Sequence, residues 1–206
     1  MSGLTLQLPP VLKLTDEQFE QLAAANQDLQ LELTATGELI IMPPTGGETG
    51  NRNLDLEGQL WLWNRQTKLG KAFDSSTGFR LPKGGTRSPD ASWVSIKRWE
   101  ALTPEERKKF LPLCPDFAME LVSETDDVEE TREKMQEYVS NGLRLGWLIN
   151  PKIRQVEIYR QNREVEVLDS PATLSGEDVL SAFILDLQAI FETTDLTAKC
   201  KYNNHR

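Results

Sequence analysis

The sequence predicts an α/β fold in which strands are enclosed by helices within one domain. Three observations carry this. Apolar runs of strand length recur along the chain, segments with helical spacing separate them, and turn residues punctuate the boundaries. The chain has 206 residues, the size of one domain with at most a small appendage. It carries no internal repeat and no low-complexity segment.

Thr15 to Leu29 reads as a helix capped by Thr15, with Phe19, Leu22 and Ala23 on one face. Leu29–Thr34 and Glu38–Met42 are alternating runs around Ala35, Thr36 and Gly37, which is a hairpin pattern. The Pro43-Pro44-Thr45-Gly46-Gly47 segment breaks the pattern. A second helix is expected from Glu48 to about Leu69, with Leu56, Leu60 and Trp63 on one stripe and Gly70 as its stop.

A strand-rich stretch follows. Lys71–Ser75, Gly78–Leu81 and Pro89–Ser95 read as strands, with Lys83, Gly84 and Gly85 as a turn. Thr103 and Pro104 mark a helix start, Thr at the cap and Pro at the first helical position. Phe117–Val122 is a short apolar strand interrupted by one acid, and Asp127 to Asn141 is a helix ended by Gly142. Leu145–Ile149, Gln155–Tyr159 and Glu164–Leu168 complete the sheet. Ser175 to Asp178 opens a helical turn or loop before Phe183–Phe191.

Composition removes several functions. No apolar run approaches the roughly 20 residues that cross a bilayer. Met1 to Leu14 lacks the pattern of a secretory signal, so a cytoplasmic protein is expected. The cysteines are Cys114 and Cys200, without a C-x-x-C pair, and the one histidine is His205. A disulfide framework, a Cys/His zinc site and histidine catalysis are therefore set aside. Acid–base or metal chemistry falls to carboxylates, lysine, tyrosine or water.

The net charge is −9, which opposes a generally basic nucleic-acid coat. It is unevenly spread. Residues 120–137 hold eight acids against Arg132 and Lys134, whereas residues 80–98 hold Arg80, Lys83, Arg87, Lys97 and Arg98 against Asp90 alone. Each run also reads as an ordinary solvated face.

Two acids stand where strands bury apolar groups. Asp90 opens the run Pro89 to Val94, and Glu120 lies within Phe117 to Val122. Strand alternation puts Ala118, Glu120 and Val122 on one face and Phe117, Met119 and Leu121 on the other. A carboxylate there costs several kcal/mol of desolvation unless a cation offsets it. Either an Arg or Lys partner or Mg²⁺ would do so, and Mg²⁺ typically takes one or two protein carboxylates plus substrate phosphates. Such a metal lowers the pKa of bound water and polarises a phosphoryl oxygen.

Lys134 joins them on geometric grounds. The chain climbs about 13 Å from Glu120 to Glu124 at strand rise and returns about 10.5 Å from Asp127 to Lys134 at helical rise. Lys134 therefore comes back level with Glu120; its alternative is a surface pair with Glu130 or Glu137. Glu48, in the first turn of its helix, is a further candidate near the metal, although the helix dipole alone favours an acid there.

Several motifs taken together resemble the Uma2 family, which is abundant in cyanobacteria. They are Met42-Pro-Pro-Thr-Gly-Gly-Glu48, Gly78-Phe-Arg-Leu-Pro82, Arg87-Ser-Pro-Asp90-Ala-Ser-Trp-Val94, Cys114-Pro-Asp-Phe-Ala-Met-Glu120-Leu-Val-Ser123, Glu133-Lys-Met-Gln-Glu-Tyr138 and Gly146-Trp-Leu-Ile-Asn-Pro151. The resemblance runs from about Leu29 to Phe191. It implies a restriction-endonuclease-like core of the PD-(D/E)xK superfamily, a central mixed β-sheet flanked by helices, with a divalent metal at the acids. By this resemblance Asp90 is the acid of the PD element, Glu120 the acid of the (D/E)xK element and Glu48 the acid of the first core helix. The sequence departs from the pattern at Val122, which stands at the motif lysine, and at Thr49, where many relatives carry histidine. Lys134 then takes the place of the displaced lysine.

The expected organisation is an N-terminal helical extension over 1–28, a nuclease-like domain over 29–192 and a flexible tail over 193–206. The expected function is Mg²⁺- or Mn²⁺-dependent hydrolysis of DNA. Asp90 and Glu120 would hold the metal, Glu48 would support it, and Lys134 would orient water. Arg80, Lys83 and Arg87 would contact phosphates. Two alternatives stand beside it: a nuclease fold that binds nucleic acid without cutting, and a homodimeric interaction module whose acids only form ion pairs. A homodimer is expected in any case. Trp61, Trp63 and Phe110 are candidates for its interface, with the core as their other home.

Overall fold

The computed structural model describes residues 4–6 and 14–192; the tail 193–206, with Cys200 and His205, lies outside them. Two sheets organise the chain. The larger is built from β4 (Gly70–Asp74), β7 (Ala91–Ser95), β8 (Phe117–Leu121), β9 (Leu145–Asn150), β10 (Gln155–Arg160) and β11 (Glu166–Asp169). Its order is β11-β10-β9-β8-β7-β4, and it is mixed: β8 and β9 run parallel while the other neighbours are antiparallel. The smaller sheet has the order β1-β3-β2-β6-β5, with β1 (Leu4–Leu6), β2 (Gln30–Leu33), β3 (Leu39–Met42), β5 (Phe79–Arg80) and β6 (Thr86–Arg87). A separate hairpin pairs β12 (Thr173–Ser175) with β13 (Ile184–Asp186).

Helices cover both faces of the large sheet. One face carries Phe117, Met119 and Leu121 of β8 against Leu56, Leu60 and Trp63 of α2 (Gly47–Thr67) and Ile190 and Phe191 of α5 (Gln188–Phe191). The other carries Ala118 and Val122 against Met135 and Tyr138 of α4 (Val128–Ser140). The alternation read from Phe117–Val122 is thus realised, and Glu120 faces α4. A Cβ on Gly146 would sit 2.5 Å from the Met135 side chain. Glycine there lets α4 lie close against β9. Asp127 caps α4 by accepting from the Glu129 N–H at 2.9 Å. The α1 helix (Asp16–Ala25) begins at Thr15 with a reciprocal Thr15–Gln18 capping box and packs Phe19 onto Leu31, Leu33 and Leu39.

Local differences from the sequence reading have physical reasons. The second helix stops at Lys68, which takes the left-handed conformation at φ 57, and Gly70 instead begins β4. Gly70 is needed in the strand because a Cβ would lie 2.2 Å from the Val94 carbonyl oxygen. The helix start at Thr103 closes its cap, with the Glu106 carboxylate accepting from the Thr103 N–H at 2.7 Å. It yields only a 3-10 turn over Glu106–Lys108, because the chain turns extended at Lys109 and brings Leu111 alongside Phe79. The full helical turn there is α3 (Ile96–Ala101), directly after β7. Trp63 is core, and Phe110 packs on Phe19; Trp61 is half exposed. No helix among the described residues is long and apolar enough to cross a membrane.

Candidate active site

Asp90 sits one residue before β7, at the point where the chain passes from the small sheet to the large one. Its Oδ2 accepts from the Leu121 backbone N–H at 2.7 Å, which fixes the carboxylate beside β8. Glu120 projects from β8 toward α4, where its Oε1 accepts from the Tyr138 hydroxyl at 3.1 Å and lies 2.9 Å from Lys134 Nζ. The Lys134 ammonium also lies 3.0 Å from Glu32 Oε1 and donates to the Ser88 carbonyl at 3.1 Å. Lys134 therefore returns level with Glu120, as the strand and helix rises require.

Glu32 is the residue that the sequence reading missed. It is buried on β2, accepts from the Ser88 N–H at 2.9 Å and pairs with Arg87 at 3.0 Å. Arg87 in turn pairs with Glu137 of α4 at 2.6 Å. A continuous ionic network thus joins the small sheet, α4 and the large sheet. On β2, Leu31 and Leu33 face α1, so Glu32 points to the opposite side together with Gln30 and Thr34.

Three expected cations and one expected acid stand apart from the Asp90–Glu120 floor or are already paired. Arg87 is 8% exposed and held by two carboxylates, so it is an internal counter-ion and is not presented to phosphates. Arg80 is paired with Asp16 and Glu20 on the α1 side. Lys83 lies in an exposed turn, and neither it nor Arg80 lines the cleft. Glu48 is 72% exposed and paired with Arg52. The phase of α2 turns Thr49 and Asn53 inward instead, and Asn53 donates to Asp90 Oδ1 at 3.4 Å.

These groups floor a cleft of about 600 Å³. Its electrostatics are set by burial and by an excess of acid. Burial acts to raise the Glu32 carboxyl, but Lys134, Arg87 and the Ser88 N–H outweigh it and hold it below the ordinary range. Burial lifts Glu120 to about 8; Lys134 opposes this, while Asp90 and Glu32 add repulsion. Asp90 is raised by burial against the pull of Lys134 and the Leu121 N–H. Burial disfavours the Lys134 ammonium, yet Glu120 and Glu32 keep it well above the ordinary lysine value. Among the described residues four carboxyls, Glu32, Asp90, Glu120 and Glu137, meet two cations, Arg87 and Lys134, so an added cation would favour the ionised forms of Asp90 and Glu120.

The donor set fits a hard divalent ion. Both Glu120 bonds fall on Oε1, leaving Oε2 for another ligand. Asp90 Oδ1 has only the long Asn53 contact, and Asn53 Oδ1 is buried without a hydrogen-bond partner. All are oxygens, as Mg²⁺ and Mn²⁺ prefer. Among the described residues no three acidic, histidine or cysteine side chains converge into a full protein cage. Mg²⁺ does not need one, since it keeps several waters and binds through one or two carboxylates.

Comparison with known proteins agrees with this layout. The Uma2 family, described as "Putative restriction endonuclease", matches residues 16–188. The chain belongs to the Uma2 family. Its fold is similar to that of a crystal structure described as "a putative nuclease belonging to DUF820 from Anabaena variabilis ATCC 29413". That likeness has a TM-score of 0.67 at 20% identity and covers 78% of this chain and 89% of the other. No curated protein matches the chain. Family and fold together mark a restriction-endonuclease-like nuclease. In this Uma2 chain Val122, at the motif-lysine position, is 4% exposed and packed in the apolar cluster with Met135 and Tyr138. The amine beside Glu120 is that of Lys134, from α4.

Proposed function

We propose that this Uma2 protein hydrolyses phosphodiester bonds in DNA with Mg²⁺ or Mn²⁺ held by Asp90 and Glu120, Asn53 Oδ1 lying beside them. The observation that carries the reading is the Lys134 ammonium, 2.9 Å from Glu120 in a cleft that is short of positive charge. The metal, when bound, would supply an activated water and a Lewis acid for the phosphoryl group. The chain's own contributions follow from its bonds. The Leu121 N–H holds Asp90, and Tyr138 and Lys134 hold Glu120, so both carboxylates are fixed before substrate arrives. Lys134 is kept charged by Glu120 and Glu32, and beside the proposed metal ligands it would stabilise negative charge developing on a transferring phosphoryl group. Glu48, Arg80, Lys83 and Arg87 have no part in this reading.

The test is incubation of plasmid and oligonucleotide DNA with the purified protein and Mg²⁺ or Mn²⁺, beside Asp90→Asn. Metal-dependent cleavage lost in the variant supports the reading. No cleavage together with no heat of Mn²⁺ binding overturns it. A homodimer is proposed as well, supported by the exposed Leu54, Trp61 and Leu62 on α2. Sedimentation of wild type against Trp61→Glu tests it.

A further inference from the structure

The cleft has two unlike walls. One is the β2–β3 hairpin, whose register sets Gln30 opposite Met42 and Glu32 opposite Ile40. Leu39 and Ile41 turn away to pack beneath α1, so Ile40 and Met42 face the cleft, continued by Pro43 and Pro44. The outer strand of this wall is therefore an apolar strip beside the carboxylate floor. The other wall is the start of α4 and the turn before it.

Among the described residues the rim carries Asp28, Glu38, Glu130 and Glu133. Among the described residues the only cationic side chains lining the cleft are Arg87 and Lys134, and both are engaged with buried carboxylates. Double-stranded DNA carries one negative charge per about 1.7 Å of axis, and proteins that grip it do so with Lys and Arg. A duplex laid along this mouth would set most of its phosphates against carboxylates, with Lys134 at the floor the one described cation placed to meet any of them. A volume of about 600 Å³ is of the order that takes a small ligand. Unpaired bases, in contrast, expose flat apolar faces that single-strand binders hold by stacking.

We infer that the substrate enters as an unpaired nucleic-acid strand or end, one phosphate reaching the Asp90–Glu120 floor and the adjoining base lying on Ile40, Met42 and Pro44. This rests on the proposed hydrolysis at the same floor. It names the form of nucleic acid that the cleft accepts, set by an acidic rim that repels the duplex and an apolar strip that holds a base.

The experiment compares one labelled oligonucleotide as a single strand and as a blunt duplex, with Mn²⁺ for cleavage and with Ca²⁺ for binding by anisotropy. Wild type is set against Ile40→Asp. The single strand is expected to be cut and bound better by about tenfold or more, the scale of covering one base face on aliphatic side chains. Its binding is expected to depend weakly on salt, with a log–log slope no steeper than about −1, as for about one phosphate contact. Ile40→Asp is expected to weaken single-strand binding about tenfold while Mn²⁺ binding is retained. Metal-dependent cleavage with duplex equal or preferred overturns this inference and leaves the hydrolysis standing. Absence of all cleavage overturns the hydrolysis; the binding arm then decides, where single-strand binding sensitive to Ile40→Asp supports the inference and equal or absent binding overturns it.

Discussion

The Glu32 carboxylate, carried on the small sheet, lies 3.0 Å from the Lys134 ammonium, carried on the helix that backs the large one. The same carboxylate reaches Arg87 and the Ser88 N–H. Glu32 therefore satisfies two buried cations, and its own ionised form is the favoured one.

Removing that charge has a clear expected cost. Glu32→Gln leaves Arg87 and Lys134 each short of a partner and should destabilise the fold by about 3–5 kcal/mol, the scale for breaking a buried pair from one side. Urea unfolding at pH 7 measures it, and a loss under about 1 kcal/mol would contradict the network. Because the folded-state pKa of Glu32 is lowered, its contribution is present above the ordinary carboxylate range and lost as pH falls through the folded value.

Glu120→Gln should behave in the opposite way. Burial and the two acidic neighbours already disfavour the charge of Glu120, and a glutamine oxygen can still accept from Tyr138. In EDTA the variant is expected to unfold within about 1 kcal/mol of wild type, or later, while losing cleavage and Mn²⁺ affinity. A variant as unstable as Glu32→Gln would show that the Glu120 charge stabilises the metal-free fold.

Lys134→Met tests the displaced amine. If Lys134 stabilises developing charge, kcat should fall by about 10² or more with little change in substrate affinity. An effect confined to KM would place Lys134 in binding alone.

Glu57, on the same helix as Asn53, supplies a pH test. Burial first, then repulsion from Asp74 and Asp90, pushes its carboxyl to about 7 from an ordinary value of 4.5. The folded state thus binds this proton more tightly than the unfolded chain does. The contribution is fully present below 4.5 and is lost as pH rises through about 7. Wild type in EDTA should lose thermal stability across that window relative to Glu57→Gln; parallel curves for the two would refute the assignment.

Cys114 should be inert. Burial pushes its thiol to about 12, so at pH 8 the thiolate fraction is about 10⁻⁴. In a Cys200→Ser background, labelling by a thiol reagent should be negligible until denaturant is added. Rapid labelling of the folded protein would show the Cys114 site to be open.

How far the sequence reaches is clear from individual residues. Glu120 was readable because an acid inside a run of strand alternation has a definite face, and Lys134 because strand and helix rises bring it back to that level. Both depend only on local geometry. Glu32 was not readable: in Gln30–Leu33 it occupies the polar phase of a half-buried strand, which normally means water. Only the approach of α4 and the Ser88 segment buries it, and that is tertiary. Glu48 failed for a related reason. The position of α2 in chain order was plain, but its rotation against the sheet, which presents Thr49 and Asn53, is fixed by how Leu56, Leu60 and Trp63 pack. The basic run at 80–98 cannot be weighed from sequence, because charge read along the chain does not show which cations are already spent on buried acids, as Arg87 is.

The hairpin wall of the cleft joins β6 through one register pair, Leu33 with Thr86, packs on α1 through Leu31, Leu33 and Leu39, and reaches Ser75 through Gln30; its charged tie to the site is Glu32. Among the described residues the outer strand, β3, holds none of the buried ion pairs. A hairpin with a different outer strand would seat in the same place provided it kept an acid at the Glu32 position. The face that this wall turns to the cleft can thus be altered by substitution while Asp90, Glu120 and Lys134 beneath it keep their partners.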